Sequence, residues 1–371
     1  MISHVESFPG YNLTALRRLY GTSIPASGIP GATTAPDNNG YVFRALGATK
    51  PVLKFLNKNK ATGTSAAALV LGFKIAVNKG DDGELVRIYE QGSSNLLAEV
   101  QTELDTGAGT TFRLKVRPAG GTWTTTNYNY SADATLYRVQ LKCVFALIGG
   151  SIDLQVNEAT PAGWSAISGN TTGEAVAPNP PWGDIWITCQ YDETLEDSYF
   201  DLSHVFMLDG RAASSGMTTA NTFLTAPWGC LAVVASAESP TNTSFSPVNT
   251  TSRLEAVQDF DDGGECDFDA GYVQGQGSGS KQSFVFPSFP SIVNKEDIIG
   301  WTLEMDVKST ESGGTQIKVQ RQMQATAQDS VEGAVTITNT DWQRKSFVFE
   351  SPTGTGAITD PNSGEYGIEI Q

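Results

Sequence analysis

The stretch Ala68-Leu69-Val70-Leu71-Gly72-Phe73-Lys74-Ile75-Ala76-Val77, followed after a turn by Glu84-Leu85-Val86-Arg87-Ile88-Tyr89-Glu90, sets the fold class. Side chains in both segments alternate on the two-residue period of a pleated strand. Thr111-Phe112-Arg113-Leu114-Lys115-Val116-Arg117 and Tyr137-Arg138-Val139-Gln140-Leu141-Lys142-Cys143-Val144-Phe145 repeat the pattern. Lys79-Gly80-Asp81-Asp82-Gly83, Ala119-Gly120-Gly121 and Ile148-Gly149-Gly150 are turn signals, where glycine takes a positive φ without steric cost. Strands are also expected over 151–157, 184–189 and 200–208. Residues 41–213 then form an antiparallel two-sheet sandwich of jelly-roll size.

Working outward, residues 1–40 are expected to be an N-terminal arm. With Pro9, Pro25, Pro30 and Pro36 it should lie on a domain surface or another subunit without regular strands; a short helix over 13–20 follows the N-cap residue Asn12. On the other side, residues 211–221 are polar and lack periodicity, which places a linker over 214–227. A second strand series over 230–236, 283–286, 298–308, 315–322, 334–338 and 344–350 predicts a smaller antiparallel β-sandwich spanning 228–371. The Gly-Ser stretch 275–280 is then a loop between its strands. The expected fold is all-β.

Composition supports this organisation. The 371 residues are enough for two cores, and 38 glycines and 17 prolines with only 17% charged residues suit short strands and tight turns. No run approaches the roughly 18 apolar residues of a membrane span, so membrane insertion is not expected, and the first residues lack the pattern of a signal peptide. The net charge of −16 argues against a nucleic-acid partner, which needs a basic footprint. The acidity is uneven: residues 1–227 hold 16 basic and 20 acidic residues, residues 228–371 hold 8 and 20.

The sequence carries no GxSxG, HExxH or Walker motif. His204, in a strand, has no nucleophile motif to serve. Paired carboxylates are approached at Glu99, Glu103 and Asp105 and at Glu304 and Asp306, but neither set has the Glu-x-Asp-x-x-Glu spacing of sandwich-fold glucanases. No catalytic residue and no cofactor is expected, and the protein is expected not to be an enzyme, with glycoside hydrolysis as the distant alternative. Cys143, Cys189, Cys230 and Cys266 lack metal-site spacing and read as small apolar residues. Within 259–269 the acidic Asp259, Asp261 and Glu265 offer oxygen ligands of the type calcium takes, without an EF-hand pattern. Two groups combine an aromatic face with polar side chains in the manner of sugar sites and protein interfaces: Trp182 with Asn179 and Asp184, and Trp123 with Asn127 and Tyr128.

The order of segments resembles a family of tailed-bacteriophage virion structural proteins, in which a concanavalin A-like lectin/glucanase sandwich precedes a second small β-domain. The resemblance is carried in the first half by residues 137–142, Ile152-Asp153-Leu154-Gln155-Val156-Asn157, Phe200-Asp201-Leu202 and Phe206-Met207-Leu208-Asp209-Gly210. In the second half it is carried by Gly229-Cys230-Leu231-Ala232-Val233-Val234, Tyr272-Val273, residues 298–308 and Tyr366-Gly367-Ile368-Glu369-Ile370. It implies a virion subunit made in the host bacterial cytoplasm, tail-associated or fibre-like, with a capsid decoration protein as the alternative. Other virion proteins, further copies of the chain and a host-surface glycan are the implied partners.

Overall fold

The computed structural model describes residues 2–6, 32–34, 41–46, 52–55, 63–77, 83–104, 111–127, 130–133, 135–188, 199–210, 223–224, 228, 235–257, 271–287, 300–323, 326–338, 340–350 and 365–371. The fold is all-β, built from antiparallel sheets, as the alternation predicts. The chain divides into two compact units, the first comprising residues 1, 3–213 and 218–231, the second residues 2, 214–217 and 232–371.

In the first unit an eight-stranded sheet contains β1 (Ile2–Glu6), β2 (Ala32–Thr34), β3 (Tyr41–Leu46), β5 (Ala68–Val77), β11 (Tyr137–Val144), β12 (Gly150–Val156), β13 (Ile167–Gly169) and β15 (Tyr199–Asp209). Its order is β13-β12-β11-β5-β15-β3-β2, with β1 also on β15. A seven-stranded sheet contains β4 (Val52–Phe55), β6 (Gly83–Glu90), β7 (Leu96–Leu104), β8 (Thr111–Pro118), β9 (Thr124–Thr125), β10 (Tyr130–Ser131) and β14 (Trp182–Thr188). It runs β10-β8-β7-β6-β14-β4, with β9 on β8. Register sets the core: Leu69, Leu71 and Phe73 of β5 oppose Cys143, Leu141 and Val139 of β11, and all six are buried. From the other sheet Val86, Ile88, Val100, Leu114, Val116, Ile185 and Ile187 are also buried.

Two expectations for this half need correction. The arm is not free of regular strands, because β1 pairs with β15 and Ala32, Thr33 and Thr34 pair with Phe43, Val42 and Tyr41. Extending an existing sheet satisfies backbone donors and acceptors that a surface arm leaves to water. The helix expected over 13–20 lies outside the described residues. Nor is the stretch 214–227 an unattached linker. Phe223 is buried beneath the Lys142 ammonium, and Leu224 N–H donates to Gln140 Oε1 while Gln140 Nε2 donates to Leu224 O, both at 2.9 Å. Beyond it, Trp228, expected to open the second domain, meets Phe206 edge-on at 4.7 Å within the first unit.

In the second unit β16 (Ala237–Thr243), β19 (Lys281–Val285), β21 (Thr315–Met323), β22 (Thr326–Ile337) and β24 (Glu365–Ile370) form a five-stranded sheet in the order β16-β19-β24-β21-β22. β20 (Gly300–Val307) pairs with β23 (Gln343–Glu350), and β17 (Ser246–Val248) with β18 (Tyr272–Gln274). Ile317, Val319, Ile337, Phe347, Phe349 and Tyr366 are its buried core, with Trp301 and Leu303 of β20 packed against them. Arg321 is also fully buried, its guanidinium 5.1 Å from the Trp301 ring and 5.6 Å from that of Tyr366. Residues 275–280 connect β18 to β19 as a loop.

Candidate functional site

In the eight-stranded sheet all ten residues of β5 are buried, so this central strand is covered on both faces, and Phe223 and Leu224 pack on outward-facing side chains of β11, while β12 alternates between buried and half-buried. In the seven-stranded sheet β8 alternates between half-buried and buried at every residue, which leaves one polar face uncovered. On that face register aligns Lys54, Trp186, Arg87, Glu99 and Arg117 in one row across β4, β14, β6, β7 and β8. At normal strand spacing such a row is roughly 19 Å long.

The row is bound together by charge and aromatic contact. Lys54 Nζ lies 4.3 Å from the Trp186 ring centroid, and Tyr89 meets the same ring at 4.5 Å and 49°. Arg87 pairs with Glu84, and Arg117 Nε donates to Glu99 Oε2 at 2.8 Å. Arg117 and Lys115 lie 4.3 and 5.2 Å from the Trp123 ring, so the row ends in a second aromatic. Burial pushes the Tyr89 hydroxyl up, only partly offset by the Arg87 charge, so the phenol keeps its proton and can donate. Burial disfavours the Arg87 charge, but Glu84 and Tyr89 outweigh it and hold the guanidinium above its usual range.

Four polar atoms of this cluster are enclosed without a hydrogen-bond partner: Glu84 Oε2, Arg87 Nε, Trp186 Nε1 and Thr188 Oγ1. Arg87 and Glu84 keep 32% and 25% of their side chains exposed, so the cluster is open to solvent at its charged end.

The residues singled out from the sequence fall in different places. Trp182 is not a surface aromatic: it is 1% exposed and its Nε1 donates to Ala68 O at 2.9 Å. The bulge between Trp182 and Ile185 turns its side chain into the core, where an indole N–H needs a fixed acceptor. Asn179 is exposed and Asp184 half-buried, so no ring joins them into one site. Trp123 is half-buried under its cations and Asn127 is exposed, while Tyr128 lies outside the described residues, as do Asp259, Asp261, Glu265 and Asp105. Glu99 and Glu103 are four residues apart on β7, about 13 Å at the strand rise, and each is paired, Glu99 with Arg117 and Glu103 with Lys115. Trp186 was missed, yet the alternation in Ile185-Trp186-Ile187 already turns it away from the two isoleucines.

Among cysteines, Cys143 is buried and free, and burial pushes its thiol up, as for a core residue. The other three lie outside the described residues. His204 is buried at the bulge in β15 with φ 51°.

No protein-family model matches the chain, and no curated protein matches it. Solved structures that it resembles are lectin-like and glycan-active β-sandwiches of the concanavalin A-like, jelly-roll kind. A sialidase from Trypanosoma rangeli is 15% identical over 55% of this chain with a TM-score of 0.31, and the chain spans only 30% of its length. A tetrameric galectin from the sponge Cinachyrella sp. is 14% identical over 42% of this chain and 99% of its own, TM-score 0.26. A GH131 β-glucanase catalytic domain from Podospora anserina is 12% identical over 57% of this chain and 91% of its own, TM-score 0.33. The sialidase and the glucanase are enzymes, which stands against the expectation that the protein is not one.

Proposed function

We propose that the protein is a structural subunit of a tailed-bacteriophage virion, in a tail-associated or fibre-like position, and that its first domain contacts a host-surface glycan through the polar face of the seven-stranded sheet. The virion assignment rests on the resemblance in segment order. The glycan assignment rests on one observation: the Trp186–Tyr89 pair stands on the polar face in one row with Arg87, whose side chain and that of its partner Glu84 keep 32% and 25% of their surface exposed. A pyranose presents an apolar face to such rings and hydroxyls to such donors and acceptors. The row from Lys54 to Arg117 is long enough for several sugar units.

The test is binding of the full chain to an immobilised panel of bacterial surface polysaccharides, with Trp186→Ala alongside. Binding weakened about tenfold or more in the variant, at unchanged melting temperature, is expected. Absence of binding across the panel, or equal binding by the variant, overturns the glycan assignment. The same incubations, analysed for shortened glycans, show whether a bound glycan is also cleaved. Mass spectrometry of purified particles tests the virion assignment.

A further inference from the structure

At the β11–β12 turn Leu147 and Ile148 are 49% and 88% exposed, and Val176 in the segment leading to β14 is 97% exposed. These are the large hydrophobic side chains exposed among the described residues. Leu147 N–H donates to Pro178 O at 2.7 Å, which holds the two loops side by side at one tip of the sandwich. The backbone beneath is fixed. Thr171, fully buried, donates from Oγ1 to Val144 O and from its N–H to Ala146 O, and Pro181 O accepts from Gln91 N–H. A Cβ on Gly150 would lie 1.9 Å from Thr171 Oγ1, so this close approach requires glycine there.

The tip is also uncharged. No charged residue occurs between Lys142 and Asp153 or between Glu174 and Asp184, although the chain carries −16. We propose that this loop tip is a self-association surface whose occupant is the same tip of a second copy of the chain. In a two-fold contact each residue near the axis meets its own equivalent, so charges there repel and an uncharged apolar tip does not. Two such negative chains approach at least cost where neither carries charge. A membrane is the poorer occupant, since neither loop itself carries a Lys or Arg and the net charge repels anionic headgroups. The three side chains expose on the order of 400 Å², so two tips together bury about 800 Å², half of a standard interface of about 1,600 Å² and the size of a weak, reversible contact. Exposed Asn179, next to Pro178, lies at the polar rim of this contact.

Sedimentation velocity of the full chain over a wide concentration range tests this, with the double variant Ile148→Glu, Val176→Glu and a melting curve to show that it folds. A reversible dimer for the wild type, weakened about tenfold or more in the folded variant, is expected. Should the double variant fail to fold, Ile148→Ser with the same readout replaces it. A wild type that stays monomeric throughout, or variants that associate like it, overturns the proposal. So does a monomer that co-sediments with phosphatidylglycerol–phosphatidylethanolamine vesicles through Ile148 and Val176.

Discussion

Gly72 and Phe206 are paired across β5 and β15, and a Cβ on Gly72 would lie 2.0 Å from Phe206 Cε1. The missing side chain lets the Phe206 ring lie across the strand, where the Trp228 ring meets it edge-on at 87°. Gly72 is thus kept for the space above it. Gly72→Ala is expected to destabilise the protein by about 1–3 kcal/mol through overpacking, since the opposing ring is itself buried. Urea unfolding measures this, and an unchanged midpoint would show that Phe206 simply moves aside.

Trp182 ties the two sheets of the first sandwich together through its bond to Ala68 O. Trp182→Ala should cost roughly 3–5 kcal/mol by leaving a cavity. Trp182→Phe keeps most of the volume and leaves the carbonyl unbonded, for about 1–3 kcal/mol. Equal, negligible losses in denaturant midpoint would place the indole outside the core.

Asp201 is 0% exposed and receives Arg44 Nε and Nη2 at 2.7 Å each. Burial raises its carboxyl above the ordinary range, and Arg44 opposes that rise only in part. The folded state therefore holds this proton more tightly than the unfolded chain. Its contribution is fully present below the unfolded value and is lost as pH rises through the raised folded value. Arg44→Met removes the opposing charge and should destabilise by about 3–5 kcal/mol at neutral pH. The deficit should shrink as pH falls, because the stranded carboxyl, held above the ordinary range by burial, takes up its proton. A deficit independent of pH would assign the loss to packing.

Phe223, Leu224 and Trp228 cover part of the outer face of the eight-stranded sheet, over Gln140, Lys142 and Phe206. A fragment ending at 231 should melt cooperatively and at higher temperature than one ending at 213, with residues 232–371 folding on their own. If the two longer-boundary fragments are unfolded while the full chain is stable, the units depend on one another.

The all-β fold was legible in the sequence because a strand's period of two is a local property: 68–77, 84–90, 111–117 and 315–322 already show which side chains share a face. That signal gives neither the strand order nor what covers each face. β5 and β8 alternate similarly, yet β5 is buried on both sides and β8 on one, a difference made by residues far away in the chain. For the same reason Trp182 and Trp186 look equivalent as neighbours in one strand. A bulge between them turns one indole into the core and leaves the other on the polar face. The row Lys54, Trp186, Arg87, Glu99 and Arg117 joins residues up to 132 positions apart (186 − 54 = 132). Only cross-strand register brings them together, and register is fixed by the packing of the whole sandwich.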